Sequence, residues 1–259
     1  MYATNYFENA MLGLLKNNPI DGVETPYLAL FMSDPGDDGT NGYEVEYTGY
    51  ARQPIDFSQP ADYGTGMAIQ NVHQINFAEC PVNVGSVTHV AVMDSFSGGN
   101  MLLYGQLDTA LNLQIGVTPI FREGSVKWIW TGNLGRYYRE KIMKVFLNED
   151  CPGFSPYVGF CNGDPEGAGA EFSGYEYARI SFNVTLPQQQ ENGTALCTNT
   201  DEIISNEATG NWGTMSYVCV YDAEINGHIY AVIPLGTTYF VSAQTSVGFH
   251  PGSLRFSVN

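Results

Sequence analysis

The chain repeats itself, and that repetition constrains its fold more than any other feature. P-Y-L-A-L-F-M-S-D-P-G-D-D-G, starting at Pro26, is matched by P-Y-V-G-F-C-N-G-D-P-E-G-A-G, starting at Pro156. Tyr50-Ala51-Arg52 is matched by Tyr177-Ala178-Arg179. The segment from Gly85 to Thr109 faces the segment from Gly213 to Thr237, and Gly124–Trp128 faces Gly252–Phe256. The four matches keep one order at offsets between 127 and 130. A fixed long period of this kind marks duplication of a folding unit. Residues 130–136 close the first copy and open the second, giving a first copy over 1–132 and a second over 133–259. The junction is short, so the copies are expected to touch.

Each copy opens with a helical pattern. Phe7, Met11, Leu14 and Leu15 recur at helical spacing within 4–16, with Thr4 or Asn5 placed to cap; Tyr138, Ile142, Val145 and Phe146 repeat the spacing. Strand signals then take over. Residues 27–32 form a short apolar run that ends in the turn sequence Ser33-Asp34-Pro35-Gly36. Residues 87–93 and 101–107 read as a hairpin across a Gly-rich turn, and Asn226-Gly227 marks the equivalent turn in the second copy. Final strands are expected at 125–130 and 253–258. Short strands with Gly-rich turns predict a mainly β chain: two tandem domains of sandwich or jelly-roll type, each with a short N-terminal helix.

Charge narrows the partners. Acidic residues outnumber basic ones 27 to 10, a formal net charge of −17. Such a chain repels phosphate and anionic lipid surfaces, so neither nucleic acid nor membrane is an expected partner. Charged residues make up only 14% of the chain, which leaves a polar but weakly charged surface suited to packing on other proteins. No stretch approaches the roughly 20 apolar residues of a membrane span. Residues 1–20 lack the basic start and apolar run of a secretory signal. The five cysteines form no C-x-x-C pair and read as buried free thiols.

The N-terminal helix followed by Y-L-A-L-F (residues 27–31), D-P-G-D-D-G (34–39), G-Y-A-R (49–52), G-S-V-T-H (85–89), Asp94 and L-L-Y-G (102–105) resembles a family of small virion proteins of tailed bacteriophages. The second copy keeps Tyr157, Asp164-Pro165, Tyr177–Arg179, Gly213 and Asp222. Members usually look like a single copy, so the doubling is a departure. The resemblance implies a virion component without enzymatic activity, made in the cytoplasm of a host bacterium. Its partners would be other capsid or tail subunits, and homo-oligomers are expected. Capsid decoration, a head-associated role, a tail adaptor and a fibre-type protein all fit. The second expectation is a receptor- or carbohydrate-binding module of the tail.

Few residues suggest chemistry. Asp34, Asp37, Asp38 and Glu44 crowd one loop and offer oxygen ligands for calcium. The spacing is not that of an EF-hand loop, and an exposed Asp/Gly turn is the preferred reading. Arg52 and Arg179 occupy equivalent places in a chain with ten basic residues, and so do Asp94 and Asp222. These are expected to form internal Arg–Asp ion pairs that fix the sheet. His73, His89, His228 and His250 lie in no metal or nucleophile motif, and Ser97-Gly98-Gly99 lacks the lysine and helix of a phosphate loop. No catalytic residue, metal or cofactor is expected. Asn183-Val184-Thr185 and Asn192-Gly193-Thr194 fit glycosylation sequons, which carry meaning only on a secretory route.

Overall fold

The computed structural model describes residues 1–190 and 193–258; Asn192 of the second sequon lies outside them. The first copy contains helix α1 (Asn5–Gly13) and strands β1 (Tyr27–Phe31), β2 (Gly66–Gln70), β3 (Gly85–Met93), β4 (Met101–Leu113) and β5 (Lys127–Trp130). The second repeats them as α2 (Arg136–Lys144), β6 (Tyr157–Cys161), β7 (Ala195–Thr198), β8 (Gly213–Tyr221), β9 (Ile229–Val241) and β10 (Arg255–Val258). The chain is mainly β, with a short helix at the start of each copy. Shorter strands fill the edges.

Local chemistry sets the helices. Thr4 caps α1, its Oγ1 accepting from the Phe7 amide at 3.4 Å. The expected helix over 4–16 stops earlier, at Gly13, and tightens into a 3₁₀ turn over Leu14–Lys16. Asn17 ends that turn with a left-handed φ of 59°, and Asn148 does so at 61° in the second copy. Asparagine tolerates this conformation better than most residues.

All the pairings are antiparallel. In the first copy β4, β3 and β1 lie side by side, flanked by Tyr2–Ala3 and Gln53–Pro54. In the second, β9, β8 and β6 repeat this order, flanked by Ile180–Ser181. A three-stranded sheet completes each copy: β5, β2 and Ala61–Tyr63, and then β10, β7 and Gln188–Gln189. Strand β4 runs past the expected end at Leu107. A bulge opposite Thr88 absorbs residues 107–110, and pairing resumes at Leu111. The same irregularity falls between Met215 and Tyr217 in β8. Asp108 and Thr109 lie in this excursion within one strand.

The repeats share one main hydrophobic cluster, and each keeps a small one of its own, around Ala29 and Ala91 in the first and around Cys161 and Cys219 in the second. Phe146 of the second copy packs against Phe7, Phe57 and Trp128 of the first, with ring centroids 5.4–5.6 Å apart. Helix α1 contacts β7 and β10 of the other copy, and α2 contacts β2. The junction has pseudo-twofold symmetry. Aligning α1 on α2 makes Ile20 equivalent to Cys151, and these two exchange backbone hydrogen bonds of 2.9 and 2.8 Å. The Val23 amide donates to the Val145 carbonyl, and the equivalent Phe154 amide donates to Leu14. A self-complementary contact of this kind is what a twofold axis generates between identical subunits.

A buried asparagine closes the small sheet in each copy. Asn71 donates to the carbonyls of His73 and Arg122 and accepts from the Val126 amide. Asn199 repeats this with Asp201, His250 and Leu254. Both are fully buried. Asn71→Ala strands three backbone groups and is expected to cost about 3 kcal/mol in urea unfolding. A loss below about 1 kcal/mol would show that these bonds are dispensable.

Candidate functional site

Both copies also build a polar clamp on the tip of the main hairpin. Arg52 grips Glu44 with two bonds, Nε to Oε1 at 2.9 Å and Nη2 to Oε2 at 2.8 Å. Its Nη1 donates to the carbonyls of Ser95 and Gly98, in the turn between β3 and β4. Tyr50 donates its hydroxyl to Glu44 and accepts from the Leu30 amide of β1. Arg179, Glu171 and Tyr177 repeat every element. Arg179 makes bonds of 2.8 and 2.7 Å to Glu171. It also donates to the carbonyls of Ala223 and Asn226. Tyr177 bridges Glu171 and the Phe160 amide. Bidentate, charge-assisted geometry fits the arginine fork. Burial, together with the adjacent carboxylate, pushes both tyrosine hydroxyls far above their ordinary pKa. They act as permanent donors.

The expected Arg52–Asp94 and Arg179–Asp222 ion pairs are corrected. The carboxylate that meets each arginine is the glutamate. Each aspartate is held by its own turn. Asp94 accepts from the Asn100 amide and the Asn100 side chain, both at 2.7 Å. Asp222 accepts from the His228 amide at 2.7 Å and from the Tyr138 hydroxyl at 3.1 Å. Arginine and aspartate therefore serve the same hairpin tip from two sides, the arginine through carbonyls and the aspartate through amides. Glu44 and Glu171, like Tyr50 and Tyr177, escaped the sequence reading as partners. Their spacing to the arginine is identical in the two copies, and that was the available signal.

The calcium candidates Asp34, Asp37, Asp38 and Glu44 do not converge. Glu44 is committed to Arg52. Asp34 folds back on the Gly36 amide, and Asp38 on the amide and hydroxyl of Thr40. Asp37 turns inward, its carbonyl accepting from the Asn5 amide. Among the described residues, no group of three or more His, Cys, Asp or Glu side chains is placed to hold a metal ion. All five cysteines are buried free thiols. His228 stacks on Tyr137, with centroids 3.5 Å apart, beside Asp222.

The clamp leaves its hairpin tips outside. Phe96 and Ile225 project from the two tips with 56% and 75% of their surface exposed. The distal part of β9 presents Tyr239 and Phe240 to solvent, where β4 carries Leu111 and Asn112. The interior framework is duplicated and the outer faces differ.

A family of phage fibre proteins, described as podophage GP4 fiber I protein gp80, matches the chain twice, over residues 2–129 and 133–257. The chain belongs to this family. The fibre family accounts for the repeat, since each copy satisfies the family pattern alone. Membership makes the chain a virion component that associates with other virion proteins. A search of curated proteins finds no match. Among the described residues, no helix is long and apolar enough to cross a membrane.

Proposed function

We propose that the chain is a non-enzymatic structural subunit of a podophage fibre assembly, working through protein–protein contacts. The family match over both repeats carries this reading. The site geometry supports it: the duplicated polar residues of the clamp are held by internal partners and serve the hairpins. Two pseudo-equivalent faces on one rigid chain suit a subunit that bridges non-identical neighbours. Modest contacts at two linked positions hold more firmly than either alone. Its partners are other fibre or tail subunits and further copies of itself, not nucleic acid or membrane. Its acidic surface disfavours both of the latter.

The hairpin tips are the contact points. Phe96→Asp with Ile225→Asp is expected to reduce incorporation into particles by at least about tenfold, as loss of buried apolar anchors does at interfaces. The isolated variant should lose at most about a few degrees of Tm, because both side chains are largely exposed and Phe96 gives up an edge contact with the Tyr27 ring. Labelling of intact particles with an antibody to the chain, or a particle map by electron cryo-microscopy, locates it. Absence from the fibres of purified particles would overturn the reading. Normal incorporation of the double variant would remove the tips from it.

A further inference from the structure

We propose that the junction of the two copies binds one hard divalent cation, of the calcium type, through Glu8, Asp37 and the side-chain amide oxygen of Asn5. Glu8 lies on the buried face of α1 with none of its surface exposed. One carboxylate oxygen accepts from the Ala195 amide of the second copy at 3.0 Å. The other, Oε1, is buried with no partner, as are Oδ1 of Asp37 and Oδ1 of Asn5. Asn5 and Glu8 sit three apart on one helix face. The Asn5 amide bonds the Asp37 carbonyl, which brings the acidic loop against the helix. Three unpartnered oxygens, two of them on carboxylates, are of the type a hard cation prefers. A buried carboxylate oxygen left without a partner, with no cationic side chain beside it among the described residues, is otherwise costly.

The second copy shows what the first lacks. Aligning α1 with α2 sets Asn5 opposite Arg136 and Glu8 opposite Arg139. There, Glu166 of the equivalent loop accepts from the Arg136 amide at 2.6 Å and faces the Arg139 guanidinium at 3.7 Å. Asp62, on the edge strand of the first copy, binds Arg136 at 2.6 Å. The equivalent edge residue, Gln189, reaches the Asn5 carbonyl and the Asn9 side chain. One junction thus holds two arginines and two carboxylates. The other holds two carboxylates, and the side chains acting on Glu8 are Asp37 and Gln189, neither of them cationic. Burial first, and then the charge of Asp37, raises the Glu8 pKa to about 7. Asp37, Asp34 and Glu8 also help burial raise Tyr104, which keeps that hydroxyl neutral. A divalent cation supplies the charge that Arg139 brings to the other junction. Of the four acidic residues in the loop, Asp37 alone takes part.

The test uses the full chain, freed of metal with EDTA and titrated with calcium chloride or magnesium chloride by calorimetry and thermal melting. One site per chain is expected. At an ion concentration near 100 times Kd, Tm should rise by roughly 5–10 °C. Glu8→Gln and Asp37→Asn should each weaken binding at least about tenfold. Glu8→Arg rebuilds the second junction's arrangement, so its Tm should no longer respond to either ion. No heat and an unchanged Tm with both ions would overturn the proposal, and so would undiminished binding by both conservative variants. The alternative is a shared proton. In EDTA, a folded pKa of about 7 above the ordinary 4.5 means that stability falls as pH rises between those values. The cation should flatten that slope by keeping Glu8 ionised. A slope that persists unchanged with either ion would show a proton alone and refute the site.

Discussion

Phe146→Ala is expected to destabilise the whole chain by about 3–5 kcal/mol, the range for removing a fully buried aromatic side chain. In a chain of this size that corresponds to a fall in Tm of roughly 10 °C. Phe146 follows α2, yet its ring packs edge-on against Phe7, Phe57 and Trp128 of the first copy. Collapse of the surroundings cannot easily fill the gap. Trp128 is held by β5 and by Trp130 stacked at 5.4 Å, and Phe7 by the capped helix α1. Phe146→Leu retains most of the volume and should cost about 1–2 kcal/mol. The variant also tests the shared core. Because one cluster runs through both copies, wild-type unfolding in urea should be a single transition by tryptophan fluorescence and by circular dichroism. Trp128 and Trp130 report on the first copy and Trp212 on the second. Two separated transitions in the wild type, or a loss confined to one copy in the variant, would sink the shared-core description.

Sequence revealed the repeat, the elements and much of the framework, but not the junction. The helices, the main hairpins and the final strands follow from spacing and turn chemistry, which act within a few residues of chain. Thr4 caps a helix and Asn226-Gly227 turns a hairpin wherever such segments fold. The Arg–Glu–Tyr clamp was half legible. Tyr-Ala-Arg stood out in both copies, but the choice of glutamate over aspartate depends on which carboxylate its own turn has already used. Asp94 and Asp222 looked like partners because they are duplicated; they are duplicated because each must cap a turn. The pairing of Ile20 with Cys151 had no sequence signal. It arises from the twofold relation between copies, a property of the assembled core. The imbalance between Glu8 and Arg139 became visible only when the helices were aligned by their structural ends.

Arg179→Ala should be the most damaging single change in the polar framework, at about 3–5 kcal/mol, the usual cost of breaking a buried ion pair from one side. The guanidinium is about nine-tenths buried, with 10% of its side chain exposed, and Glu171 keeps 21%. Truncation leaves that carboxylate facing the Tyr177 hydroxyl alone and strands the carbonyls of Ala223 and Asn226. Arg52→Ala removes the same bonds in the first copy, with one difference. Arg179 also lies over the Tyr221 ring, 3.4 Å from its centroid. That cation–π contact is worth about 0.5–2 kcal/mol. The second-copy variant should therefore lose more than the first, by about 1 kcal/mol, in paired urea denaturation curves. Equal losses would mean that the stacking contributes nothing. Arg179→Met with Glu171→Leu should recover most of the stability, since apolar replacement of a buried pair is often neutral. The hairpin tip would still lose its two carbonyl anchors. Particle incorporation of this double variant therefore separates the two roles of the clamp: normal Tm with poor incorporation means that the arginine shapes the contact surface, and recovery of both means that it serves stability alone.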